Sequence, residues 1–257
     1  MTGLAIEGLH VAYGRRTVLR NVSVPPLRPG TVTALLGPNA SGKSTLLRSI
    51  AGLKRQATGR ILFDGRPIEE MRLAERTRSV RYVPQVYAAA ARLTVFDAVL
   101  VAARTAGASG GSAAVAARVE AILTRTRIDH LAHRMICDLS GGQQQLVALA
   151  QGLVQPAPVL LLDEPTSALD LRHQLEALAL LRAITAADGH IAVVALHDLS
   201  LAARHADRVV LMDQGAVVAD GPPAEVFADP VCGRTYGVEL VAETSRRGSL
   251  MIDAALP

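Results

Sequence analysis

Short apolar and β-branched runs alternate along the chain with segments of helical period, and this alternation predicts an α/β fold around a largely parallel core sheet. LAIEGLHVAY (4–13) and TVLRNVSV (17–24) read as strands of an antiparallel sheet at the edge of the domain. TVTALL (31–36) reads as a buried strand that runs into GPNASGKST and then a helix pattern, TLLRSIAGL. RILFDG (60–65) and SVRYVPQ (79–85) follow as strands around a short charged helix. From Thr94 to Leu153 the period is helical, broken by AGASGGSAA (106–114), whose Gly and Ser content predicts a flexible connection. This block reads as a helical subdomain, residues 86–155 approximately, inserted between core strands. VLLLDE (159–164), HIAVVAL (190–196) and DRVVLMD (207–213) return to the sheet. Between them, Leu171, Leu175, Leu178 and Leu181 recur at helical spacing and predict a packed face. After about residue 230 the pattern weakens and predicts no element; no internal repeat is visible.

Composition narrows the function classes. The 257 residues suffice for one large domain or two small ones, and 50% of them are hydrophobic. A formal charge of +4, no run of five basic residues and only seven aromatics argue against nucleic acid as a partner. Cys137 and Cys232 lie far apart, so a reducing compartment is expected. MTGLAIEGLH lacks a basic region followed by an apolar stretch, so no signal peptide is expected, and no run approaches the roughly 20 apolar residues of a membrane span. Mean hydropathy of +0.28 is high, which fits buried parallel strands or a hydrophobic partner surface. Of 27 basic residues only Lys43 and Lys54 are lysines, so a lysine kept at a motif position points to a need for a compact charge.

GPNASGKS (37–44) supplies such a position. Gly37, Pro38, Asn39, Ala40, Ser41, Gly42, Lys43 and Ser44 fit the P-loop pattern, with a strand before them and a helix opening at Thr45 after them. Backbone N–H groups would wrap the phosphates of a nucleotide, Lys43 would reach the β- and γ-phosphates, and the Ser44 hydroxyl would ligate Mg²⁺. VLLLDE adds the acids: a buried strand delivers Asp163 to hold Mg²⁺ and Glu164 to polarise the attacking water. LSGGQQQLVALAQGLV (139–154) opens a further helix on Ser140, Gly141, Gly142 and Gln143, an arrangement suited to an anion because backbone N–H groups and the helix dipole point at it. With no lysine and no metal ligand beside it, this second loop can only be half of a triphosphate site.

LSGGQ followed by a strand and DEPTSALD resembles the ATP-binding cassette (ABC) ATPases, and the resemblance covers residues 4 to about 230. It implies a P-loop nucleotide hydrolase core with an antiparallel β edge subdomain and the inserted helical subdomain. The ATPase domain is then expected over 2–238, with 239–257 as a C-terminal tail. In that family two domains pack head to tail, and the signature loop of one covers the γ-phosphate held by the P-loop of the other. ATP and Mg²⁺ are the implied cofactors and a second copy of the chain an implied partner. Tyr13 resembles the aromatic that stacks on adenine, and Gln85 the glutamine joining Mg²⁺ and the γ-phosphate to the helical subdomain. Asp170 in SALD resembles the residue that communicates across the dimer, and it also suits a helix N-cap. His197 in ALHDL resembles the histidine that hydrogen-bonds the γ-phosphate. Three positions depart from the usual pattern: Ala40 stands where many relatives carry Gly, and Leu146 and Gln151 replace arginines of the signature helix. A positive φ at Ala40 would cost on the order of 1 kcal/mol.

Without a membrane span, transport by such an ATPase requires separate permease subunits. LTVFDAVLVAAR (93–104) and TSALDLRHQLEAL (166–178) resemble ATPases of importers for iron–siderophore complexes, haem and vitamin B12. That resemblance implies the energising subunit of a metal-chelate importer, peripheral on the cytoplasmic membrane face and linked through its permease to a substrate-binding protein. The rival readings are a cassette ATPase serving another substrate class, a soluble one acting on ribosomes or DNA, and a small-molecule P-loop kinase. The soluble class usually carries tandem cassettes, long inserts or basic extensions, and in a kinase LSGGQ, Gln85 and His197 would have no task.

Overall fold

The computed structural model describes residues 3–55, 58–85, 92–108, 110–155, 157–245 and 248–257. In chain order its elements begin with β1 (Leu4–Tyr13), β2 (Arg16–Leu27), β3 (Thr31–Leu36), α1 (Lys43–Ile50), β4 (Thr58–Phe63), β5 (Arg66–Pro67), α2 (Leu73–Ser79) and β6 (Val80–Val83). The helical block holds α3 (Val95–Thr105), α4 (Ser112–Arg125) and α5 (Gly141–Leu153). The chain continues through β7 (Val159–Asp163), α6 (Leu171–Asp188), β8 (Ile191–Ala195), α7 (Leu199–His205), β9 (Arg208–Asp213) and β10 (Ala216–Gly221). It ends in α8 (Pro223–Ala228), α9 (Pro230–Tyr236), β11 (Glu239–Thr244) and β12 (Leu250–Ala255).

A six-stranded sheet in the order β10-β9-β3-β8-β7-β6 forms the centre, parallel throughout except for the antiparallel β9–β10 pair. Its inner strands β3, β7, β8 and β9 are largely apolar on both faces because both faces are covered. Leu160, Leu162, Ala192 and Val194 point into the core shared with the helical block, and Leu161, Val193 and Val210 into the core shared with the edge sheet. Burying each such aliphatic side chain contributes about 1.5–3 kcal/mol. The edge sheet, ordered β2-β1-β4-β5, is antiparallel as expected and packs over α1 through Leu4, Leu9, Leu19, Leu46 and Leu47. Because β3, β7 and β8 run parallel side by side, the loops that follow them leave from the same edge.

Three expectations need correction. The stretch 106–114 is not a connection throughout: α4 starts inside it at Ser112, though Ser109 lies outside the described residues, as do 86–91 at the expected start of the helical subdomain. On α6 the packed face is Ala177, Leu178, Leu181, Ile184 and Thr185, while Leu171, in the first turn beside the N-cap, is 66% exposed and Leu175 half-buried. The segment after residue 230 is structured, with α9 leading into an antiparallel β11–β12 hairpin. One face of that hairpin (Leu240, Ala242, Leu250 and Ile252) packs on the main core. Among the described residues no helix is long and apolar enough to cross a membrane, and Cys137 and Cys232 form no disulfide.

Candidate active site

The loop between β3 and α1 is shaped by close backbone approach. Gly37 sits at φ +142°, where a Cβ would lie 2.1 Å from the Met212 carbonyl oxygen, and Gly42 at φ +106°, where it would lie 2.7 Å from Leu19 Cδ2. Lys43 opens α1 and folds back across the loop, its Nζ donating to the carbonyls of Gly37 at 2.6 Å and Pro38 at 3.1 Å. Burial lowers its pKa, opposed by the charges of Glu164 and Asp163. The Ser41 hydroxyl is buried and lacks a hydrogen-bond partner among the described residues. Asn39, Ala40, Ser41, Gly42, Lys43, Ser44 and Thr45 line an open cleft of about 260 Å³ together with Arg16, Val18 and Glu164.

Ala40 does adopt the left-handed conformation, at φ +64°. Ala40→Gly should therefore relieve about 1–2 kcal/mol of backbone strain, of which glycine's larger unfolded-state entropy takes back about 0.5–1. A net stabilisation of up to about 1.5 kcal/mol is expected, seen as a higher urea midpoint at unchanged slope.

Asp163 ends β7, buried to 2% exposure, and both its oxygens are taken. Oδ1 accepts from Ser44 Oγ at 2.9 Å and Oδ2 from the Tyr82 hydroxyl at 2.9 Å. Arg48 Nε in turn donates to that hydroxyl at 3.3 Å, and burial raises the pKa of Tyr82. Glu164 follows in the left-handed region at φ +52°, its N–H donating to the Ala195 carbonyl at 3.2 Å. Its carboxylate meets Gln85 Nε2 through Oε2 and His197 Nε2 through Oε1. Lys43, Ser44, Gln85, Asp163, Glu164 and His197 thus converge at one sheet edge from the ends of β3, β6, β7 and β8.

The second loop forms a separate cleft. Ser140 caps α5 in a capping box: its Oγ accepts from Gln143 N–H at 3.3 Å while Gln143 Oε1 accepts from Ser140 N–H at 3.0 Å. Gly142 is needed because a Cβ there would stand 2.9 Å from the Ala168 carbonyl oxygen. Asp170 does cap α6, accepting from His173 N–H at 2.9 Å, and that hydrogen bond depresses its pKa. Ser140, Gly141, Gly142, Gln143, Asp170, Arg127, His130 and His173 line about 640 Å³, and among the described residues none lines both this cleft and the one at Lys43. Tyr13, at the end of β1, lines neither; it is 44% exposed, with Lys54 Nζ 3.9 Å from the ring centroid.

Two connecting residues were not predicted. Tyr82 holds Asp163, as above. Gln145, 8% exposed, ties α5 to the loop after Glu164: its Nε2 donates to the Glu164 carbonyl at 2.8 Å and to Ser167 Oγ at 3.0 Å, and its Oε1 accepts from Ala168 N–H at 2.9 Å. No sequence pattern separates Tyr82 from a core aromatic or Gln145 from its neighbouring glutamines. The two arginine replacements serve packing: Leu146 is buried, and Gln151 Nε2 donates to the Ala98 carbonyl at 3.1 Å, joining α5 to α3.

Residues 19–167 match the family model described as ABC transporter. The hemin import ATP-binding protein HmuV of Streptomyces coelicolor is 42% identical over 250 residues, covering 96% of this chain and 88% of that protein. Among solved structures, an inward-facing metal-chelate type ABC transporter superposes with a TM-score of 0.82 at 25% identity, covering 98% of this chain and 97% of that one. A dimeric ATP-binding cassette in a post-hydrolysis state with ADP and Pi superposes with a TM-score of 0.79 at 26% identity, covering 86% and 98%.

Proposed function

The chain belongs to the ABC transporter family, and from that premise we propose that it is the ATP-hydrolysing subunit of an importer for haem or a related iron chelate. The convergence of Lys43, Ser44, Asp163 and Glu164 beside a glycine-wrapped loop carries the ATPase reading, and the likeness to a hemin import protein carries the substrate class.

ATP would lay its phosphates along residues 37–45, where the Ser41 hydroxyl has no partner among the described residues and Lys43 can exchange its two carbonyl acceptors for phosphate oxygens. The donor set suits Mg²⁺. Ser44 and Asp163 present hard oxygens 2.9 Å apart, with Gln85 on the adjoining strand end, and Mg²⁺ is held by one or two carboxylates plus substrate phosphates rather than an all-protein cage. Bound there, Mg²⁺ neutralises charge on the β- and γ-phosphates. Tyr82 fixes the Asp163 carboxylate in plane by occupying its second oxygen. Glu164 is engaged by Gln85 and His197; turning those two toward the γ-phosphate leaves its carboxylate to orient water. Tyr13, exposed at the end of β1, would offer its ring to the adenine if Lys54 swung off it.

Ser140–Gln143 and Asp170 line a cleft of their own, which suits a head-to-tail dimer in which each chain completes the other's site. Permease subunits anchor that dimer peripherally at the cytoplasmic membrane face and link it to a substrate-binding protein.

Co-expression with a cognate permease pair tests the importer reading. The chain should move to the membrane fraction, copurify with the permease and confer ATP-dependent haem uptake on vesicles. Exclusive recovery in the soluble fraction with the permease present would overturn it.

A further inference from the structure

The backbone of Gly37 is gripped from two sides. Its carbonyl accepts from Lys43 Nζ at 2.6 Å, and its N–H donates to the Tyr236 hydroxyl at 2.8 Å, a contact spanning 199 positions of sequence. We propose that Tyr236 is a positioning residue of the nucleotide site, through which the C-terminal segment holds the phosphate loop in its binding shape. The inference rests on reading residues 37–45 as the loop that takes ATP phosphates.

Gly37 lies where the sheet stops supplying partners. The pairing of β3 with β9 ends at Leu36 opposite Leu211, and its pairing with β8 at Leu35 opposite Ala195. The next N–H along β3 belongs to Gly37, and a phenol hydroxyl takes the place of a strand carbonyl. The backbone here is closely packed: a Cβ at Gly37 would collide with the Met212 carbonyl. A tyrosine hydroxyl suits the place because it accepts a hydrogen bond at the tip of a rigid apolar ring.

The ring in turn is set by α9. Asp229 caps that helix, its Oδ1 accepting from Val231 N–H at 2.8 Å, and Gly237 ends it at φ +70° immediately after Tyr236. Gly233 N-terminal to that end packs against the Val238 carbonyl, where a Cβ would come within 2.6 Å. Cys232 and Phe227 are buried in the main core, and the β11–β12 hairpin packs beside them. The segment whose sequence pattern is weak is thus a mount whose Tyr236 hydroxyl touches the first residue of the phosphate loop. Tyr236 also lies beyond the 19–167 stretch that matches the family model.

Tyr236→Phe keeps the ring and deletes the acceptor, which leaves a buried N–H unpaired and the loop free to shift. ATP affinity of the purified full chain, measured by titration calorimetry, should fall about tenfold, the scale of one lost buried hydrogen bond. Turnover at saturating ATP should stay near the wild-type rate, and Arg234→Ala, on the exposed side of the same helix, should leave affinity unchanged. A purely structural role would lower the melting temperature equally with and without ATP and leave affinity intact, and that result would overturn the proposal. Amide exchange in the wild-type chain gives a second reading: the Gly37 N–H should be protected, and exchange at the rate of an open loop would equally refute it. Lys43→Ala separates this inference from its premise. If that variant binds ATP as the wild type does, the phosphate-loop reading fails; if it loses ATP while Tyr236→Phe binds normally, only the role of Tyr236 fails.

Discussion

Glu164→Gln is expected to bind ATP, close around it and then hardly turn over. Glutamine matches glutamate in size and tolerates the φ of +52° no worse, so the backbone at this position should be unaltered. Lys43, Ser44 and Asp163 keep their contacts, and binding therefore survives. What is lost is the charge that orients and activates water, and removal of such a group costs about 10²- to 10⁴-fold in rate. One effect opposes binding: the Glu164 carboxylate helps keep Lys43 protonated against its burial. Asp163 acts in the same direction and remains, and relief of repulsion between Glu164 and the γ-phosphate favours the closed state. Size exclusion with ATP should show a long-lived dimer, and phosphate release should be almost absent. Wild-type turnover in this variant would remove Glu164 from the chemistry.

Ser140→Arg should have an effect on hydrolysis as large, by a different route. The substitution breaks the capping box with Gln143 and places a cation at a helix N-terminus, which together cost roughly 1–2 kcal/mol. Ser140 is exposed, so the fold should survive that loss. ATP binding by the isolated chain should be unchanged, because Ser140 does not line the cleft at Lys43. The long side chain would instead fill the space where the γ-phosphate of a second copy must approach the Gly141 and Gly142 backbone. Introduced beside Glu164→Gln, it should convert the ATP-trapped dimer seen by sedimentation into a monomer that still holds nucleotide. A dimer of normal stability would show that this loop does not act on a second copy.

The strands that sequence places best are those buried on both faces. β3, β7, β8 and β9 emerge within about a residue of the apolar runs 31–36, 159–164, 190–196 and 207–213, since a doubly covered strand has no polar face to blur its ends. The motif residues come with them, because Asp163 ends a strand, Lys43 and His197 follow strand ends, and parallel order alone brings those ends together. The β11–β12 hairpin escaped because only one of its faces is covered, leaving Val241 and Met251 about half exposed among Glu, Thr and Ala. Leu171 fits the helical spacing yet projects from the first turn of α6, before that helix reaches the core. Tyr82 and Tyr236 act on partners 81 and 199 positions away, and no local period encodes such pairings.

The three hydrogen bonds of Gln145 bear on how two such clefts can keep in step. They fasten α5, whose first turn is the surface proposed to meet a second copy, to the loop 164–170, which begins at the carboxylate proposed to orient water and ends at the Asp170 cap. A shift of Glu164 on nucleotide closure must either strain that fastening or carry Ser140–Gln143 along with it. Each chain then converts occupancy of its own loop into readiness of the surface it offers its neighbour. Thermodynamic linkage makes the traffic two-way: whatever factor one bound nucleotide adds to the affinity of the second, the second returns to the first. Cooperativity between the paired sites would then be built into the tertiary structure of a single chain, with one glutamine side chain as its narrowest link.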